Sequence, residues 1–169
     1  FARVTCRSNP GTLGVHAFVN NSGTFATMRN CIFTDGSGED AILIFGESLY
    51  LENCLFYDNN TTFSTVWTNN SSGVPVVTTS AVNCTIDDPI ARGFHADPNT
   101  QVSIANCLVI GSLTTSGGSL STSYSLYSGA PSSNGNIDGS PTFVDATNGD
   151  YRLAAGSLGI DAGDNAALP

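Results

Sequence analysis

The octapeptide Leu49-Tyr-Leu-Glu-Asn-Cys-Leu-Phe56 decides the fold. Its Asn-Cys pair occurs four times, at Asn30-Cys31, Asn53-Cys54, Asn83-Cys84 and Asn106-Cys107, at intervals of 23, 30 and 23 residues. Each pair follows alternating apolar and polar residues and precedes an x-apolar step. The other frames are Phe25-Ala-Thr-Met-Arg-Asn-Cys-Ile-Phe33, Val77-Thr-Thr-Ser-Ala-Val-Asn-Cys-Thr-Ile86 and Val102-Ser-Ile-Ala-Asn-Cys-Leu-Val109. Self-similarity at this period marks a solenoid. Alternation of period 2 makes the repeating element a strand.

In such a strand Leu49 and Leu51 share one face, and Tyr50 and Glu52 the other. Asn53 breaks the alternation. Asn tolerates the left-handed backbone region, so it can turn the chain sharply. Beyond the corner, Cys54 and Phe56 point inward again. A third strand completes each coil, with candidates at Val15–Val19, Ala41–Phe45, Thr65–Trp67 and Gly93–His95. Stacking the coils predicts an inward ladder of Cys31, Cys54, Cys84 and Cys107. Beside it runs an edge ladder of Asn30, Asn53, Asn83 and Asn106, whose amides can bond to one another. Cys6, 25 residues before Cys31, is the candidate first rung. Cys at a repeated inward position acts as a small apolar residue. Parallel side chains in file disfavour both the disulfide torsion and a tetrahedral zinc site, so the thiols are expected unbridged.

This frame resembles the right-handed parallel β-helix, the fold of pectate lyases and of many bacterial surface proteins. Handedness follows from that resemblance and from the usual crossover of parallel strands. The expected architecture is all-β, five to six coils over residues 1–130, with a C-terminal cap or strand-exchange segment over 131–169.

The tail carries the second resemblance. Asn136-Ile-Asp-Gly-Ser-Pro-Thr-Phe-Val-Asp145, Asn148-Gly-Asp-Tyr-Arg-Leu153 and Gly156-Ser-Leu-Gly-Ile-Asp-Ala-Gly-Asp-Asn165 resemble the C-terminal segment of bacterial extracellular β-helix repeat proteins. Tyr151, Leu153, Leu158 and Ile160 alternate enough to cover the last open coil, as a solenoid end requires. The other expectation is that the segment reaches the first coil of a second copy. Head-to-tail addition of that kind makes a filament.

Composition narrows the partners. The 169 residues hold 11% charged and 40% apolar residues, no Lys, and a net charge of −9. An acidic chain excludes nucleic acid and anionic lipid as natural partners. No apolar run is long enough to span a membrane as a helix. The Thr, Ser and Asn content suits an extracellular or cell-surface protein. The chain opens at Phe1 in a strand-like stretch and reads as a mature product or an excised piece, beginning mid-coil.

Four groups of residues are candidates for chemistry. Asp87, Asp88, Arg92, His95 and Asp97 gather around coil four. The resemblance to β-helix lyases implies carboxylates that hold Ca²⁺ beside a uronate and a base that abstracts its acidified proton. Asp87-Asp-Pro and Asp97-Pro are also ordinary turns, and a single Arg offers little grip on a polyuronate. Asp35, Glu39 and Asp40, or Asp138, Asp145, Asp150, Asp161 and Asp164, supply oxygens of the kind Ca²⁺ selects. Gly139-Ser140 stands where the related segments carry a small residue and Asp, which weakens the tail site. Asn20, Asn59, Asn60, Asn69 and Asn70 match the glycosylation pattern. Tyr50, Tyr57 and Trp67 are aromatics suited to stacking on sugars, with Trp67 equally suited to the core. Taken together, the sequence points to a non-catalytic structural or adhesive module that associates with itself or with glycans. A polysaccharide lyase or a glycan-binding module is the alternative.

Overall fold

The computed structural model describes residues 4–7, 17–20, 25–46, 48–70 and 76–167. Six coils follow one another. Coil one holds β1 (Val4–Arg7) and β2 (Ala17–Asn20). Coil two holds β3 (Phe25–Arg29), β4 (Cys31–Thr34) and β5 (Ser37–Phe45). Coil three holds β6 (Ser48–Glu52), β7 (Leu55–Tyr57) and β8 (Asn60–Asn69). In coil four, β9 (Val77–Val82) is followed by the long, bent β10 (Thr85–Ala96). Coil five repeats this with β11 (Thr100–Ala105) and β12 (Leu108–Thr115). Coil six has β13 (Ser119–Ser123) and β14 (Leu126–Tyr127), and a short turn returns to β15 (Ile137–Asp138). A hairpin, β16 (Phe143–Asp145) and β17 (Asp150–Leu153), follows.

Like strands stack in parallel into three faces. Face A is β1-β4-β7-β10-β12-β14-β15, face B is β2-β5-β8 continued by the back halves of β10 and β12, and face C is β3-β6-β9-β11-β13. The antiparallel pair is β16–β17.

The corner between faces C and A shows why Asn recurs. Asn30, Asn53, Asn83 and Asn106 have φ of 55°, 52°, 54° and 53°, the left-handed region. Tyr124 (φ 47°) and Gly135 (φ 71°) extend the column into coil six and the closing turn. At each Asn the backbone N–H donates to the next coil: Asn30 to Glu52 O, Asn53 to Val82 O, Asn83 to Ala105 O, Asn106 to Ser123 O, at 2.9–3.2 Å. The side-chain ladder is shorter than the backbone one. Asn53 Nδ2 donates to Asn30 Oδ1 at 3.4 Å, whereas Asn106 turns its amide to the tail.

The cysteines stand in single file. Strand register places Cys31 beside Cys54, Cys54 beside Cys84 and Cys84 beside Cys107, and the file continues into Ser125 and Asn136. Each thiol donates to the carbonyl two residues back: Cys31 to Arg29, Cys54 to Glu52, Cys84 to Val82, Cys107 to Ala105. Ser125 makes the same bond to Ser123 at 2.8 Å. Thiol and hydroxyl therefore do one job, binding a carbonyl that the left-handed corner leaves inside. Cys54, Cys84 and Cys107 remain thiols. Burial and the neighbouring thiol push the Cys84 group well above its usual range. Cys6 is not the first rung: it pairs with Phe33, and Val4 stands beside Cys31. The interval of 25 residues misplaces it by two because the chain between β1 and β4 is longer than the ladder step.

Inside, Phe33 stacks on Phe56 at 4.7 Å and 7°, and Ile86, Val109 and Tyr127 continue the pile. Full burial of such side chains contributes roughly 1.5–3 kcal/mol each. Tyr127 and Ala130 close the core at coil six.

The first part of the expected cap, β15, stacks on β14 of the last coil. From Gly139 onward the tail runs back along the flank of face A. Tyr151 packs on Tyr57 at 5.0 Å, two coils before coil five, where Asp164 meets Asn106. The cause is the outward column of face A, Ile32, Leu55, Thr85, Leu108, Leu126 and Ile137, which is apolar at every position but one. An outward apolar stripe needs a cover, and the tail supplies it at Leu108 and Leu126, the latter 2% exposed.

Candidate functional site

Two neighbourhoods in coil four hold the residues singled out for chemistry, one on each side of the bend in β10. The register of β10 against β12 breaks between Asp87 and Arg92. Asp88-Pro89-Ile90 bulges there, because Pro cannot donate to a ladder. Ile90 stands 78% exposed at the tip.

On the near side, Asp58, Asn59, Asn60, Asp87 and Asp88 line a cleft of about 370 Å³. Asp88 forms its floor. Its Oδ2 accepts from Thr61 Oγ1 at 2.6 Å and Thr65 Oγ1 at 3.0 Å, and the Ala91 N–H lies 3.4 Å from Oδ1. Burial pushes the Asp88 carboxyl up, and the threonine hydroxyls pull it back. Asp87 Oδ2 accepts from Tyr151 Oη at 3.0 Å. The same contact and burial raise the Tyr151 phenol, burial most.

On the far side, His95, Asp97 and Trp67 form one network on the outside of face B. His95 Nδ1 lies 2.6 Å from Thr114 Oγ1, and Nε2 lies 3.0 Å from Ser116 Oγ and 3.3 Å from Asp97 Oδ1. Asp97 Oδ2 accepts from Trp67 Nε1 at 2.8 Å and Asn69 Nδ2 at 2.7 Å. Burial holds His95 below its usual range, against the pull of Asp97. Phe63 packs against Trp67 at 4.6 Å and His95 at 5.2 Å, with the Arg92 guanidinium 4.2 Å above its ring. Trp67 is thus an outer-face residue, half-buried among aromatics.

The bend separates the five candidates. Asp87 and Asp88 face one cleft, His95 and Asp97 share a network elsewhere, and Arg92 lies on Phe63. Asp40 is a further buried group: neither oxygen has a hydrogen-bond partner, and Arg92 Nη1 is likewise buried without one. Burial pushes Asp40 up to about 7, with Glu39 adding to the shift and Ser64 and Arg92 opposing it.

The acidic groups proposed for calcium are dispersed. Asp35 and Glu39 are exposed while Asp40 is enclosed. In the tail, Asp138 accepts from the Gly129 N–H, Asp145 from Asn148, and Asp150 pairs with Arg152 at 2.6 Å. Asp161 sits in a left-handed turn, and Asp164 accepts from the Ala166 N–H. Among the described residues no three His, Cys, Asp or Glu side chains converge on a point that could hold a metal ion.

Of the glycosylation candidates, Asn59 is 2% exposed, with its amide donating to Phe33 O at 2.9 Å. Asn69 is engaged by Asp97, and Asn70 donates to Asn99 O at 3.1 Å. Asn60 is exposed, and the side chain of Asn20 lies outside the described residues. Tyr57 is covered by Tyr151, and Arg29 lies 5.6 Å from the Tyr50 ring.

A family model described as the right-handed beta helix region matches residues 7–129. The chain belongs to the right-handed β-helix family. No curated protein and no solved structure matches it. The family match ends two residues past β14, so the tail of this β-helix lies outside it. Among the described residues of the β-helix, no helix is long and apolar enough to cross a membrane.

Sequence reasoning named Tyr151 for the cap and Asn106 for the ladder, and missed that these two, with Leu108 and Leu126, hold the tail to the flank. The available signal was the residue after each Cys. Ile32, Leu55 and Leu108 occupy an outward position that a solvated flank would fill with polar residues.

Proposed function

We propose that this β-helix is a non-catalytic structural or adhesive module of an extracellular or cell-surface protein. The observation that carries the reading is the use already made of the four candidate bases, Asp87, Asp88, His95 and Asp97. Asp88 lies under Thr61 and Thr65, Asp87 holds Tyr151, Asp97 holds Trp67 and Asn69, and both His95 ring nitrogens have partners. A general base must reach the proton it abstracts, and even Asp87 and Asp88, which line the cleft, already accept from Tyr151 and from Thr61 and Thr65. The Lys-free, acidic composition supports the exported setting. The filament part of the reading draws no support from the tail, whose contacts lie on its own chain.

Incubation with polyuronates and a panel of neutral glycans tests the proposal. Ultraviolet absorbance reports unsaturated products, and reducing-end assay reports hydrolysis. The expected result is no turnover. Turnover that disappears in Asp97→Asn or Asp88→Asn overturns the reading and restores a lyase or hydrolase.

One observation favours glycan recognition as the adhesive property: Phe45, Phe63 and Trp67 sit together on the outside of face B, beside Arg92. Aromatic faces suit sugar rings. A glycan array run with Trp67→Ala as control checks it, and signals that persist in Trp67→Ala reject that face.

A further inference from the structure

A solenoid is quasi-one-dimensional. Each coil touches its two neighbours, and stability sums along the stack, so the ends can open alone. The tail of this chain breaks that rule. From Gly139 onward it touches four consecutive coils. In coil three, the Tyr57 ring meets Tyr151 at 5.0 Å. In coil four, Asp87 accepts from Tyr151 Oη at 3.0 Å. In coil five, Asn106 and Asp164 exchange two hydrogen bonds, Nδ2 to the Asp164 carbonyl at 2.9 Å and the Asp164 N–H to Oδ1 at 2.8 Å. In coil six, Leu126 is buried beside Gly159, where a Cβ would stand 3.5 Å from its Cδ2.

These contacts run along the stacking axis. At about 4.8 Å per coil, three steps cover about 14 Å. Gly159 shows how closely the segment lies: a Cβ there would stand 3.0 Å from Leu108 Cδ2 and 3.2 Å from Leu153 Cδ1. The hairpin is internally fixed as well, by Phe143 packing edge-on against Tyr151 at 4.9 Å and by Ser157 Oγ accepting from the Thr142 N–H at 3.0 Å. It therefore acts as a stiff bar bound at both ends, not a loose thread.

We propose that the tail is a longitudinal brace that makes coils three to six open as one unit. A coil can leave the stack only if the bar detaches from its flank, so opening of coil six becomes linked to coil three through contacts that lie outside the coil-to-coil ladder. Such coupling suits a surface module under mechanical or proteolytic load, and it holds whether or not the module binds glycans.

A matched pair of corner substitutions tests the brace in the full-length chain. Asn106→Gly keeps the left-handed corner, which Gly adopts without strain, and removes both bonds to Asp164. Asn83→Gly makes the same change at a corner with φ 54° and no bond to the tail. Native-state hydrogen exchange is read in β8 and in β13–β14. The brace predicts that Asn106→Gly raises exchange in coil six relative to coil three by about tenfold, the loss expected for two side-chain hydrogen bonds. Asn83→Gly shifts both coils alike. Tyr151→Phe, which keeps the ring against Tyr57 and removes the bond to Asp87, loosens coil four, read in β10, relative to coil six by a smaller factor. Should Asn106→Gly fail to fold, Tyr151→Phe alone decides. Profiles that change evenly in all variants overturn the proposal.

Discussion

Faces A and C are built from the same strand frame and stacked in the same register, yet their outsides differ. On face C the two central outward columns carry Phe25 and Tyr50 in coils two and three, but in coils four to six they read Thr78, Ser80, Gln101, Ser103, Ser119 and Ser121, and hydroxyls bond from coil to coil, as in Ser103 Oγ to Ser80 Oγ at 3.2 Å. On face A they read Ile32, Leu55, Thr85, Leu108, Leu126 and Ile137, and the tail lies against Leu108 and Leu126. Both faces bury apolar side chains inward. The outward residue therefore carries the information about what lies outside the coil, and the inward one only about the coil itself.

The comparison is broken most severely at Leu126. Leu126→Ala removes a side chain enclosed between face A and the tail, and should cost about 2–4 kcal/mol in urea unfolding. Its counterpart on face C, Ser121→Ala, should stay within about 0.5 kcal/mol. Equal effects would mean that the tail does not cover its flank.

Asp40 sharpens the contrast between enclosed and solvated carboxylates. Burial raises its folded-state pKa to about 7, above the ordinary aspartate value of 3.8. The folded state therefore binds more protons between those values, and this group's contribution to stability falls as pH rises from 4 to 7. Asp40→Asn should stabilise the chain by roughly 1–3 kcal/mol at pH 8, and by little at pH 4. Chemical denaturation at the two pH values measures both. Asp150 makes the opposite case. Its ion pair with Arg152 holds its carboxyl down to about 2, in the open.

The corner offers a smaller difference. Asn53→Ala places a Cβ-bearing residue without a local hydrogen-bonding side chain in the left-handed region, at a cost of about 1–2 kcal/mol. Asn53→Gly should cost less, since Gly adopts that conformation freely. Thermal unfolding of the pair separates backbone strain from the loss of the bond to Asn30. Last, Cys54, Cys84 and Cys107 should resist a thiol-specific reagent in the folded chain and react once it is unfolded. The raised thiol pKa values of Cys54 and Cys84 account for two of them directly.

Much of this architecture was legible in the chain. Asn-Cys marks the corner because two local requirements coincide there: a backbone at positive φ and a small inward donor for an enclosed carbonyl. Both are properties of single residues, so spacing alone reveals them. Ser125 and Tyr124 were harder to place, because a hydroxyl replaces the thiol and a ring the amide while the geometry persists. The position of Cys6 is not marked by the repeat, because no corner Asn precedes it: the chain there reads Val4-Thr-Cys6. The candidate cluster was legible only as a list. That Asp88 would point to Thr61 and Thr65, and Asp97 to Trp67 and Asn69, depends on which residues stacking brings beside them, 23 to 30 positions earlier. The tail's course was hidden for the same reason. Its partners Asn106 and Asp87 lie 58 and 64 residues away.

The central claim is that each corner Asn stands directly against the next coil. Scalar coupling through hydrogen bonds, measured by nuclear magnetic resonance on the isotopically labelled chain, reads this without intermediary. The account predicts cross-peaks from the Asn53 amide to the Val82 carbonyl, from Asn83 to Ala105 and from Asn106 to Ser123. Couplings from these amides to carbonyls within their own coil would contradict it.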